Sequence, residues 1–261
     1  MLDALSPQRR RAVLGAAALV LLLVLAIVAT SVLHRSRAAA PAPQDQPGPV
    51  LLVPGYGGTG SSLAPLADAL RAAGRQAVVV PPVGDGRGDL RAQAEHLGEV
   101  ARRVLADSGS PSVDVVGYSA GGVVARLWVR DEGGTALARR VLTLGAPHHG
   151  TEQAALGSQL AGGCPTACEQ LVPDSDLLRR LNAGDETPDG PVWATVRTAA
   201  DQVVTPVESA SLAGALNVVV QDLCPGSTAG HPDLPADPVV LAMLPTVLGS
   251  GPATAPTGVR C

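Results

Sequence analysis

From residue 50 onward the apolar positions follow two alternating rhythms. Short runs, "VLLV" (50–53), "AVVVP" (77–81), "VDVVG" (113–117), "VLTLGAP" (141–147), "VWATVRTAAD" (192–201) and "LNVVVQD" (216–222), read as strands or strands with their exits. Between them lie longer amphipathic stretches. "LAPLADALRAAG" stops at Gly74 in the manner of a helix C-cap, and "LRAQAEHLGEVARRVLAD" puts Leu90, Leu97, Val100, Val104 and Leu105 near one face. "GVVARLWVRD" is a third helix. Strands that are apolar without strict alternation are buried on both sides, so the pattern predicts an α/β fold: a doubly wound, mostly parallel sheet with helices on both faces. Thr151 to Gly190 breaks the alternation, between two predicted strands at the end where such sheets bind ligands, and reads either as a lid or pocket wall or as a surface excursion.

Ahead of this pattern the periodicity vanishes. Arg9, Arg10 and Arg11 precede an apolar run over 12–33, with about 20 uncharged residues, enough to span a bilayer as one helix. Two readings stay open: a retained signal-anchor, or a signal peptide cleaved among the small residues near Ala38. Either way the positive-inside rule leaves 1–11 in the cytoplasm and exports the rest. "AAAPAPQDQPGP" is a Pro-rich tether, so the expected organisation is a basic segment 1–11, a membrane or signal helix 12–33, a linker 34–48 and one domain 49–261 with 151–190 as its excursion.

Composition then narrows the partners. The chain of 261 residues is 46% hydrophobic but 2% aromatic, with no Phe, so Val, Leu and Ala must fill the core. Beyond residue 40 there are 14 basic and 22 acidic side chains, a formal charge of −8, which argues against nucleic acid. Cys164, Cys168, Cys224 and Cys261 all lie in the exported part, where disulfides are the default. Of three possible connectivities the favoured one joins Cys164 to Cys168 and Cys224 to Cys261; no His stands at a ligand spacing from the first pair, so a metal is not expected.

The candidate chemistry sits at one corner. In "VDVVGYSAGGVVARLWV" a strand ends at Gly117, a helix begins just after Gly121, and Ser119 stands between them. G-x-S-x-G alone is weak in a chain with 30 Gly, but here it has the strand–turn–helix context in which glycines at 117 and 121 let the helix pack against the strand. A serine hydroxyl needs a base. Of five histidines, His34 abuts the apolar run, His96 is on a helix surface, and His148 and His149 have only Asp131 and Glu132, at a helix end, between them and Ser119. His231, in a loop after the last strand, remains. Asp201 and Asp222 both follow predicted strands; Asp201 is preferred as the acid, with Asp222 as a loop-capping alternative. The glycine-rich turn "PGYGGTG" offers the Tyr56 N–H as an oxyanion donor beside that of Ala120, and it lacks the Lys of a phosphate-binding loop.

These pieces resemble the α/β-hydrolase family, and within it secreted bacterial lipases and esterases of the triacylglycerol lipase type. The resemblance rests on "VLLVPGYGGTG", "VVGYSAGGVVARL", "VLTLGAPHHGTE", "TAADQVVTP" and "AGHPDLPADPVV", in the family's order over about Val50 to Val240. It implies a Ser119–Asp201–His231 triad, oxyanion N–H groups at Tyr56 and Ala120, and hydrolysis of acyl esters or lipids through an acyl-enzyme, without metal or organic cofactor. Structural roles follow for His148 and His149. The family's His before the oxyanion turn is replaced by Pro54. Acyl transfer to an envelope lipid or alcohol is the alternative activity, and a non-catalytic binding protein the alternative class. Leu171, Leu177 and Leu178 would suit an acyl chain. The expected protein is an extracytoplasmic monomer, held to the membrane by its N-terminal helix or secreted after cleavage.

Overall fold

A computed structural model describes residues 8, 14–16, 19–24, 41–160 and 163–261. The helix expected over 12–33 therefore lies largely outside the described residues, and among those described no helix is long and apolar enough to cross a membrane. The folded unit runs from Pro41 to Cys261.

Six strands form it: β1 (Val50–Val53), β2 (Ala77–Val79), β3 (Val113–Tyr118), β4 (Ala138–Leu144), β5 (Val192–Arg197) and β6 (Leu216–Val219). They lie in the order β2-β1-β3-β4-β5-β6, every neighbouring pair parallel. The order reverses after β2, and helices connect successive strands as far as β5, with a single 3-10 turn (Val207–Ala210) between β5 and β6. The main helices are α1 (Ala64–Ala72), α2 (Leu90–Ser108) and α3 (Ala120–Asp131), followed by the excursion's short α4 (Glu152–Ser158), α5 (Thr166–Gln170) and α6 (Asp176–Leu181). A turn α7 (Val220–Leu223) and the C-terminal α8 (Pro238–Leu248) complete the set.

Period-two geometry splits the core in two. Leu51, Val53, Val115 and Val141 face α2, α3 and the excursion, while Val50, Leu52, Val116 and Leu142 face α1 and α8. With no Phe available, the first cluster is Leu, Val and Ala around Trp128, which is fully buried. Leu177 and Leu178 belong to this cluster, at 2% and 1% exposed. They are core, because α6 turns its apolar face onto the domain, and they do not face the cavity described below.

Two strand limits differ from the sequence pattern. β6 stops at Val219, and Val220 to Leu223 coil into a helical turn. β4 starts at Ala138, three residues earlier than the apolar run, and so takes Arg139 and Arg140 into the sheet. Arg139 is fully buried because Asp114, its neighbour on β3, accepts from it at 2.5 Å and from Arg75 at 2.6 Å. Spare guanidinium donors reach the Leu248 carbonyl at the end of α8, the Gly249 carbonyl after it and the Gln44 carbonyl, and Arg75 reaches the Gly48 carbonyl. Residues 44 and 48, read above as tether, are thereby fastened to the amino ends of the strands. Removing the carboxylate leaves a buried cation without its counter-charge. Asp114→Ala is accordingly expected to lose about 3–5 kcal/mol of folding free energy, read as a lowered urea midpoint.

Both disulfides are formed, Cys164 with Cys168 and Cys224 with Cys261.

Candidate active site

The carboxyl ends of β1, β3, β4 and β5, and the loop after β6, converge on Ser119. Between β3 and α3 the serine adopts φ 53° and ψ −128°, a conformation that costs a non-glycine residue about 1–3 kcal/mol and that turns the side chain out of the corner. The turn closes only because its neighbours lack side chains. A Cβ on Gly117 would lie 2.7 Å from the Gly121 carbonyl and Gly122 Cα, and one on Gly121 would overlap the Val53 and Pro54 carbonyls at the end of β1. Gly122, not singled out from the sequence, is equally constrained: a Cβ there would collide with Ala146.

His231 starts a 3-10 turn (His231–Ala236) in the loop after α7. Its Nδ1 lies 2.7 Å from Asp201 Oδ2, with both residues only 5% exposed. The other carboxylate oxygen accepts the Val203 and Val204 N–H groups, each at 2.8 Å, so backbone donors fix the direction of the carboxyl. Asp222 is exposed on α7 and has no such partner among the described residues. The imidazole Nε2 is likewise unpaired among the described residues, and no hydrogen bond joins it to Ser119 Oγ. The serine and the histidine nonetheless meet one corner of the chain. Ser119 N–H donates to the Leu144 carbonyl at 2.8 Å, and the next residue, Gly145, lies against the ring: a Cβ on it would stand 3.0 Å from His231 Nδ1.

Two supports for the histidine were missed in the sequence. Tyr118 packs its ring 5.2 Å from that of His231 and donates its hydroxyl to the His231 carbonyl at 3.2 Å. Burial, with the Asp201 and Asp233 carboxylates nearby, pushes the phenol up to about 12, so it remains a donor. Thr198 donates to the Ala229 carbonyl at 2.6 Å and holds the same loop from β5.

The backbone N–H groups of Tyr56 and Ala120 have no hydrogen-bond partner among the described residues. Gly55 brings the first turn against the serine, since a Cβ there would be 2.9 Å from Ser119 Cβ. With Pro54 where a His is expected, that turn is braced from the 81–88 loop. Gly57 N–H donates to the Gly86 carbonyl at 3.2 Å, and the Arg87 guanidinium lies 5.7 Å over the Tyr56 ring.

His148 and His149 are engaged elsewhere. His148 is fully buried against Thr143 at 3.0 Å, and burial, reinforced by Arg126 and His149, holds its ring well below the usual histidine range. His149 pairs with Glu186 at 2.6 Å.

Ser119 and Tyr56 open onto a cavity of about 180 Å³, whose remaining walls include Pro147, Ala154, Leu171 and Val204. The excursion thus supplies a pocket wall, with Leu171 alone of the three leucines expected there. A larger hollow, about 590 Å³, lies on the other side of the His231 loop, between Asp233, Asp237 and the Cys224–Cys261 disulfide, and is not lined by Ser119.

No protein-family model and no curated protein matches the chain. Solved structures do. Lipase B of Aspergillus fumigatus is 20% identical with a TM-score of 0.69, over 80% of this chain and 54% of that one. The Bacillus licheniformis lipase BlEst2 is 18% identical in its mature form, with a TM-score of 0.66 over 81% of this chain and 95% of that one. Its propeptide form gives a TM-score of 0.65 at 18% identity, over 85% and 54% of the two chains. The chain has the α/β-hydrolase fold. It spans about half the length of the fungal lipase, and at these identities the likeness extends to architecture alone. In this sheet Ser119 stands at the exit of β3 before α3, Asp201 in the loop after β5, and His231 in the loop after β6 and α7.

Proposed function

We propose that this chain is a serine carboxylic-ester hydrolase of the lipase and esterase type. The observation that carries the reading is the 2.7 Å pair between Asp201 and His231 Nδ1, buried beside a strained serine elbow. With Nδ1–H donated to the carboxylate, Nε2 is the nitrogen left to take the Ser119 proton. In the absence of substrate such contacts are often long and tighten on binding. Ser119 Oγ attacks the ester carbonyl, and the N–H groups of Tyr56 and Ala120, reinforced by the positive end of α3, receive the oxyanion. His231 then returns the proton to the departing alkoxide, leaving an acyl-enzyme that water cleaves by the same path in reverse. Two disulfides support an oxidising, extracytoplasmic setting for this chemistry.

A fluorophosphonate tests the reading directly. The full chain is expected to take up one equivalent at Ser119, located by peptide mass spectrometry, and to lose hydrolysis of p-nitrophenyl butyrate in parallel. Absence of the adduct from folded protein would overturn it.

A further inference from the structure

The cavity beside Ser119 also limits what the site accepts, given the ester-hydrolase reading on which this step rests. Its walls are mostly apolar: Gln153 is exposed and donates to the Gln202 carbonyl at 3.2 Å, and the buried hydroxyl of Thr151 is already spent on the Val203 carbonyl at 2.6 Å. His231 is not among the lining residues. Because the imidazole must protonate the leaving alkoxide, the alcohol part of an ester has to lie toward His231, and the cavity is left for the acyl part.

Burial separates floor from mouth. Val204, Leu171 and Ala154 are 1%, 5% and 7% exposed, whereas Tyr56 and Val203 are 39% and 43% exposed. The closed end is therefore made by α4, the residue after α5 and Val204, and the open end by the oxyanion turn and Val203. Dry apolar cavities of about 150 Å³ hold one benzene molecule. The 180 Å³ here accommodates an acyl group of about six carbons; further carbons have to leave through the mouth and lie against Tyr56 and Val203, partly in water.

We infer that the cavity binds about the first six carbons of an acyl chain, so that discrimination between chain lengths ends at about hexanoyl, and that Leu171 and Ala154 set this limit. Each buried methylene is worth about fourfold in kcat/KM. For p-nitrophenyl esters, kcat/KM of the full chain is expected to climb at about that rate from acetyl to hexanoyl and then to level within about twofold through dodecanoyl. Leu171→Ala, which deepens the floor, is expected to move the break about two carbons longer; Ala154→Leu, which fills it, about two carbons shorter. Rates are normalised to Ser119 labelled by fluorophosphonate, so that a poorly folded variant does not imitate a selective one.

A rise continuing to dodecanoyl in the unaltered protein would overturn the size limit while leaving the hydrolase reading intact. So would a break that stays in place in both labelled variants, or selectivity that follows the alcohol instead of the acyl group. Protein that neither labels nor hydrolyses any ester of the series would overturn the hydrolase reading and this inference with it.

Discussion

Ser119→Ala is expected to lower kcat toward a p-nitrophenyl ester by about 10⁴–10⁶-fold with KM little changed. The nucleophile is lost outright, while the Tyr56 and Ala120 donors and the apolar walls still bind substrate, so a small residual rate over water persists. Folding is expected to improve slightly or hold, because alanine has no partner to lose here: the serine hydroxyl makes no hydrogen bond among the described residues, and the unusual φ of 53° is disfavoured for both residue types. Steady-state kinetics at matched folded fraction checks this. A variant retaining a tenth of the activity would remove Ser119 from the chemistry.

Asp201→Asn is expected to cost about 10³–10⁴ in kcat at neutral pH, with stability changed by no more than about 1 kcal/mol. The two N–H groups of Val203 and Val204 determine how the amide sits. They require an acceptor, so the carbonyl oxygen of Asn stays with them and its NH₂ faces His231 Nδ1. That nitrogen must then accept, the proton moves to Nε2, and the ring presents a donor where the serine needs a base. A merely structural role for Asp201 predicts the opposite balance, with stability falling and kcat per folded molecule preserved. Thermal unfolding beside active-site-titrated kcat separates the two.

How far the chain can be read without coordinates depends on the range of the interactions that decide each element. The serine elbow was legible because its pattern is local, with Gly117 required by contacts the turn makes with itself, although what requires Gly121 is the distant end of β1 at Val53 and Pro54. Apolar strands buried on both faces announced the sheet for the same reason. Arg139 and Arg140 could not be assigned to β4, since a buried guanidinium is tolerable only with Asp114, 25 residues earlier, beside it. Leu177 and Leu178 look no different in sequence from Leu171, yet α6 turns those two into the core while Leu171, just after α5, meets the cavity. The Tyr118–His231 bond spans 113 residues, beyond the reach of any local pattern.

The clamp on Gln44 and Gly48 bears on how the protein is handled. Those residues are bound at the amino ends of the strands, whereas Ser119, Asp201 and His231 cluster past the carboxyl ends. A pull on the chain ahead of residue 41 is carried through Gln44 and Gly48 into Arg139 and Arg75, at the end of the sheet away from those three residues. Attachment at Cys261 instead pulls on Cys224, seven residues before the base, and would distort the machinery being immobilised.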